Sequence, residues 1–408
     1  MVVAAADVLA QDAPPHAVVF DYYMSPNAGA QDLLAVQHVL STAEDRWLPR
    51  KIGQERSRPA LALGILYRSG KFLALDVPQD HFLMVVAHEV FGHGARFREL
   101  GDGRIGYGFD APIPYGSGDA FTRFNGRFPV SPLASLNVSA SGIEAQHSLA
   151  DAIAERAVAR GRLHYREAWL YFESRLTGMT YILSASPHSS RGHDVADFLD
   201  TFADACTEPC SSLRRRQVQQ RALLALADPM LFYAIYAFSG SYVGNGQTTG
   251  PMWMIPLSRS TGVLPSLGYS LAPYGAEWTA RFSIRTAERA KRGDWRITNA
   301  TVRVGDTGSS TTVAFAAHAS DVARLLGWPI DVGVDVWRQP AVLAEKTSDP
   351  LHFGAGATAT IVVPLPRRLR VPWVSGLIVT GGYKSEGFIP GEQLSGGAYL
   401  RAGVTITR

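Results

Sequence analysis

Charge is scarce in this chain. Asp, Glu, Lys and Arg make up 18% of its 408 residues, against roughly a quarter in ordinary globular domains. The two signs nearly cancel, at a formal net charge of +3, and no long Lys/Arg run occurs. A nucleic-acid surface needs a basic patch or stripe, so this balance argues against a nucleic-acid partner. Cysteine is almost absent. The only two, Cys206 and Cys210, lie in the segment Cys-Thr-Glu-Pro-Cys. A zinc ribbon needs a second pair and is excluded; two thiols this close fit a small disulfide of an oxidising compartment. Long apolar runs are also missing. The nearest, residues 222–243, is interrupted by Asp228-Pro229 and reads as a buried core helix rather than a membrane span. The first residues lack the basic start and long apolar stretch of a full secretory signal. Glycine, in contrast, is plentiful, at 39 residues. Low charge with many Gly, Ala, Thr and aromatic residues suits a β-rich wall against lipid, or a large buried sheet.

Periodicity divides the chain near residue 260. Residues 1–260 read as a mainly helical region, with apolar spacing of three to four over 30–48, 81–100, 142–161, 164–184, 194–206 and 211–239. Short strands are expected at 60–67 and 71–76, and a loop with a hairpin over the Gly- and aromatic-rich 101–140. Residues 261–408 change to period two. Trp278, Ala280, Phe282 and Ile284 alternate with Glu277, Thr279, Arg281, Ser283 and Arg285; Ile330, Val332, Val334 and Val336 alternate with Asp331, Gly333 and Asp335. Seven or eight such segments follow one another, each near the length of a tilted membrane strand.

One apolar and one polar face fits a soluble sandwich, where the apolar face is the core, or a barrel, where it meets lipid. The meander order, the charges on the polar face and aromatics near segment ends (Tyr274, Trp295, Trp328, Trp337, Trp373, Tyr383) favour the barrel. This half resembles bacterial outer-membrane barrels in general character. The expected fold is therefore α+β: a helical, zincin-like metal-binding domain followed by an antiparallel β-barrel of outer-membrane type. The resemblance implies outer-membrane lipid as a partner and the bacterial outer membrane as location, with periplasm or secretion as the alternative.

The chemistry is concentrated in His88-Glu89-Val90-Phe91-Gly92-His93, which follows the apolar run Phe82-Leu83-Met84-Val85-Val86. The usual HExxH motif sets two histidines four apart on one helix face. Here they are five apart, in an HExxxH pattern, which on a regular helix rotates one about 140° from the other. A π-type turn absorbs one extra residue and returns both to one side; Gly92 is the residue best able to adopt such backbone. The HExxGH pattern resembles the motif of the dipeptidyl peptidase III family of zinc exopeptidases. That resemblance implies Zn2+ held by His88 and His93, Glu89 as general base, and a peptide or protein substrate.

A catalytic zinc takes three protein ligands and keeps a fourth position open. The third is expected from residues 141–151, where a helix starting at Ser141 or Gly142 carries Glu144, His147, Ser148 and Asp151 on one face. Glu144 keeps the usual ligand type; His147, followed by Ala150 and Asp151, is the alternative. Tyr107, Tyr115, His147 and His193 are candidate donors to a developing oxyanion. Arg96 and Arg98 are expected to hold the helix end through Glu99 or Asp102. The function so read is that of a zinc metallopeptidase. The alternatives are a non-enzymatic outer-membrane barrel, a pore or assembly factor with a structural metal site, and a soluble protein with a β-sandwich binding module.

Overall fold

The structure is a computed structural model that describes residues 15–48, 57–116, 119–189, 192–205, 213–286, 296–343, 350–366 and 373–406. Cys206, Cys210 and Trp295 lie outside the described residues. Strand β1 (His16–Phe20) leads to α1 (Pro26–Trp47), whose N-terminus is capped by the Ser25 side chain with Pro26 at the first helical position. Three helices, α2 (Arg58–Lys71), α3 (Val77–Val86) and α4 (Gly94–Leu100), are joined by π segments Phe72–Asp76 and Ala87–His93 into one helical run. The strands expected at 60–67 and 71–76 are thus helix and π turn. The alternation of Ala and Leu after residue 59 imitates period two, but both residues are strong helix formers, and Ser57 caps the helix from the side chain.

The hairpin is present as β2 (Asp102–Phe109) and β3 (Ala120–Arg127). Helix α5 (Pro132–Arg160) starts about one-third of its length before the expected Ser141 or Gly142, because Ser131 and Pro132 already form the cap. It ends at Gly161, whose φ of 67° is the left-handed C-cap conformation. Next come β4 (Arg162–His164), α6 (Tyr165–Ser184), α7 (Asp194–Ala205), α8 (Arg215–Ala222), a 3-10 turn (Leu223–Ala227), α9 (Pro229–Ile235) and a π segment (Tyr236–Gly244). The main core lies among α1, α3, α5, α6 and α9, around Leu34, Met84, Phe91, Leu149, Ile153, Tyr171 and Met230.

After β5 (Thr249–Pro251) and β6 (Ile255–Pro256), eight long strands follow: β7 (Thr261–Ala272), β8 (Gly275–Thr286), β9 (Arg296–Asp306), β10 (Thr311–Leu325), β11 (Trp328–Gln339), β12 (His352–Pro364), β13 (Val374–Lys384) and β14 (Gly397–Ile406). Strands β6 to β14 form an antiparallel meander, and β1 adds antiparallel to β14 at its far edge. The helical segments end at Gly244 and the sheet begins with β6, ahead of residue 260, while β1, from the other end of the described chain, belongs to the same sheet. Among the described residues no pairing joins β1 to β6 or β7, so the expected barrel is not closed by hydrogen bonds. One edge is only the two-residue β6, containing Pro256, and helices flank both edges, α1 against β1 and α9 against β7.

The faces of this sheet are inverted relative to a soluble layer. Ser283, Asn299, Thr301, Arg303, Lys384, Arg401 and Thr405 are buried, whereas Phe282, Val304, Phe315, Val334, Val336, Phe353 and Leu400 are exposed. The polar face turns towards α5. There Arg281 pairs with Asp151 (2.8 Å) and Glu155, and Asn299 donates to Glu155 (2.9 Å). A polar cavity of about 290 Å³ remains between α5 and the strands. Of the aromatics expected at strand ends, Trp373 and Tyr383 are exposed. Tyr274 and Trp337 are instead buried on the polar side, where Tyr274 donates to Glu277 (2.6 Å) and the Lys384 ammonium lies over the Trp337 ring.

Candidate metal centre

The π turn is what brings the two histidines together. The Gly94 N–H bonds to the Glu89 carbonyl, five residues back, so one residue more than in an α turn is accommodated between His88 and His93. The two Nε2 atoms then stand 3.1 Å apart. Gly92 serves this turn by packing rather than by unusual backbone angles: a Cβ there would come within 2.6 Å of the Ser141 carbonyl oxygen on α5. Gly142 answers it from the opposite helix, since a Cβ there would lie 2.3 Å from His88 Nε2. Two glycines thus let the motif helix and α5 meet closely enough to seat the imidazoles between them.

The third group at this point is Asp194, at the start of α7. Its Oδ2 lies 3.1 Å from His88 Nε2 and 3.2 Å from His93 Nε2. His88, His93 and Asp194 are the only His, Cys, Asp or Glu group among the described residues with ligand atoms mutually close enough to hold a metal ion. Four-coordinate zinc with bonds of about 2.0–2.1 Å needs ligand atoms roughly 3.3 Å apart, close to the triangle present here. Two imidazoles and a carboxylate are a donor set that suits zinc, and also iron(II).

The surroundings fix this triangle. His93 Nδ1 faces the Val138 carbonyl at 2.9 Å, so it donates there and leaves Nε2 for a metal. Burial alone would push His93 down; the Asp194 charge and hydrogen bond, helped by the Glu89 charge, lift it to about 9. Asp194 is held well below the usual carboxylate range: burial opposes this, but the two imidazoles facing it prevail. Tyr181 donates its hydroxyl to Asp194 Oδ2 (3.2 Å) and accepts from the Asp194 N–H (3.1 Å), so it orients the carboxylate. Glu89, buried beside His88, accepts from the Thr122 hydroxyl of β3 (2.7 Å).

Both residues expected as third ligand are elsewhere. Glu144 is bound through both oxygens by Arg96 (2.6 and 2.8 Å) and accepts from the Gly391 N–H (2.8 Å), which makes it a bolt between α4, α5 and a sheet loop. His147 lines the polar cavity on the sheet side of α5 and is held neutral, down to about 3, by burial and by the Arg175 charge. The physical reason is the orientation of α5. Val138, Ser141 and Gly142 face the π turn. Glu144, His147, Ser148 and Asp151 share one stripe, as expected, but that stripe faces the strands.

Of the other candidates, Tyr115 is exposed and His193 stacks on Tyr181 with ring centroids 4.3 Å apart. The Tyr107 hydroxyl accepts from Arg98 (2.8 Å) and lies against Gly94. Arg96 does pair with Glu99 (3.0 Å), whereas Arg98 binds Tyr107 and the Val90 carbonyl. Asp194 and Tyr181 are the site residues that sequence reasoning missed. The only local signal was an acid at a helix start, which ordinarily serves the helix dipole. No family model, curated protein or solved structure matches the chain.

Proposed function

We propose that this protein is a zinc-dependent hydrolase that cleaves peptide bonds, with His88, His93 and Asp194 as ligands and Glu89 as general base. The observation that carries this reading is the triangle of ligand atoms at 3.1–3.2 Å, with a buried glutamate next to His88 in the chain. Zinc in such a donor set supplies Lewis acidity, polarising a carbonyl oxygen and bringing the pKa of water towards neutrality. Glu89 takes the proton of the attacking water and returns it to the leaving amine. Thr122 keeps the Glu89 carboxylate oriented, and Tyr181 does the same for Asp194. The test is a zinc titration of metal-free protein. We expect close to one zinc per chain, and loss of binding in His88→Ala and in His93→Ala, since each removes one of three ligands. Full zinc binding in both variants would refute the site.

The sheet is read as membrane wall of the outer-membrane type, with the lipid-facing side chains outward and the polar cavity inward. The inverted burial of its two faces supports this, because a soluble sheet buries its apolar face. The same observation favours the second reading, a non-enzymatic wall protein whose metal site is structural. Val334→Arg tests the placement: a cation on a lipid face costs about 2–4 kcal/mol near the midplane, so membrane yield should fall sharply. Normal assembly of that variant would count against a bilayer around β11.

A further inference from the structure

Helix α2 is apolar nearly all round, yet mostly uncovered. Between Pro59 and Tyr67 it has no charged residue, and only Gly64 and Arg68 of the whole helix are buried. Leu61, Leu63, Ile65 and Leu66 are exposed, Leu66 at 70%. A helix with this composition belongs in a protein core or in lipid. The neighbouring segment behaves alike. Arg215–Ala227 and Pro229–Gly244 form a pair bent by 59° that together is long and apolar enough to cross a membrane. It exposes Leu224 and Phe232, and the only charged residue after Arg221, Asp228, is fully buried beneath Tyr171.

Arg58 and Arg216, at the ends of this sector, are exposed, whereas the two cations at the end of α2, Arg68 and Lys71, are drawn away from its surface. Arg68 donates to the Val243 carbonyl (2.9 Å), and Lys71 reaches Glu44 (2.7 Å) and Asp76 (2.8 Å), both cations lining a cavity beside α2 rather than its apolar face. Long cationic side chains ordinarily extend to water from an aqueous surface. The apolar sector is also continuous with the sheet. The Tyr233 and Tyr236 rings pack on Trp253, at centroid separations of 5.7 and 5.3 Å, and two residues later Ile255 lies exposed on β6, which pairs with β7. An occupant that covers this sector and the outward face of the strands must be continuous around the molecule. A bilayer is; a single partner surface is not.

We propose that α2 and the bent pair lie against lipid, completing on the helical side the apolar belt that β8 to β14 present on the other. The membrane wall is then a hybrid of strands and helices, and the gap left between β1 and β6 is filled by helices rather than by strand pairing. This rests on the bilayer placement of the sheet proposed above.

The test uses an environment-sensitive NBD label at Leu66→Cys, Phe232→Cys or, on the sheet, Leu400→Cys, in full-length protein carrying Cys206→Ser and Cys210→Ser. All three positions are exposed, so the label displaces no packing. The protein is reconstituted in phosphatidylcholine vesicles and quenched with brominated phosphatidylcholine or with aqueous iodide. We expect Leu66 and Phe232 labels to lose fluorescence to brominated lipid as strongly as the Leu400 label, and to resist iodide. Lipid quenching at Leu400 with iodide quenching at Leu66 and Phe232 overturns the inference and leaves the sheet in the membrane. Protection of Leu66 and Phe232 from both quenchers overturns it in favour of a second copy of the chain on that face. Iodide quenching at Leu400 removes the bilayer placement itself.

Discussion

Glu89→Gln is expected to keep its metal and its fold while losing peptide hydrolysis by about two to four orders of magnitude, the usual contribution of a positioned general base. The substitution is nearly isosteric. The Thr122 hydroxyl, which donates to Glu89 Oε2 at 2.7 Å, finds the amide oxygen in its place, so the buried hydrogen bond survives. Neither imidazole nor the Asp194 carboxylate bonds to the Glu89 side chain; the three are held by one another, by Val138 and by Tyr181. The three ligands therefore stay in place and zinc is expected to remain bound. What is lost is the ability to accept a proton from water, because an amide oxygen is a very weak base. Rates on a peptide library, measured beside zinc content, read both halves. Unchanged turnover in a fully metallated variant would remove Glu89 from the chemistry. Loss of zinc would make it a ligand instead.

The π turn was legible because it breaks a rule. Two histidines five apart do not share a face of a regular helix, so the only way for both to meet one ion was a residue inserted into the turn, and the structure has it at Ala87–His93. Asp194 was not legible for the opposite reason: it breaks no local rule. It lies about a hundred residues downstream, it suits the start of α7 as any Asp would, and only the packing of α7 against α5, with the Tyr181 hydroxyl of α6 holding it, brings it under the imidazoles. Glu144 and His147 do share a stripe of α5, and the ligand role was misread because nothing in the stripe tells which neighbour it faces. The partner that claims Glu144 is Arg96, which lies only three residues past the motif and was assigned to the helix end. For the sheet, the alternation shows seven or eight strands with two contrasting faces, and the structure has eight long ones. Closure depends on the edges, and neither the two-residue β6 nor the addition of β1 to β14 has a pattern long enough to read.

Glu144→Ala and Asp194→Ala should separate folding from metal binding. Glu144 and Arg96 are both almost fully buried and paired through two short bonds. Removing one partner of such a pair typically costs about 3–5 kcal/mol, because the other charge stays buried without it. Here Arg96 keeps Glu99 (3.0 Å) and the Glu392 carbonyl (2.9 Å), but the Gly391 N–H loses its acceptor as well. That contact ties the loop between β13 and β14 to α5, so the loss spreads from the helices to the sheet. Denaturant unfolding of Glu144→Ala should show a midpoint far below that of the parent chain, with zinc still binding at close to one per chain under native conditions. Asp194→Ala should behave in reverse. It removes one of three ligands and should release the metal. Its apo fold should change far less, since burial then drives His93 to its neutral form and no charge is stranded beside it. Zinc loss from Glu144→Ala with an unchanged unfolding midpoint would restore Glu144 as the ligand and remove Asp194 from the site.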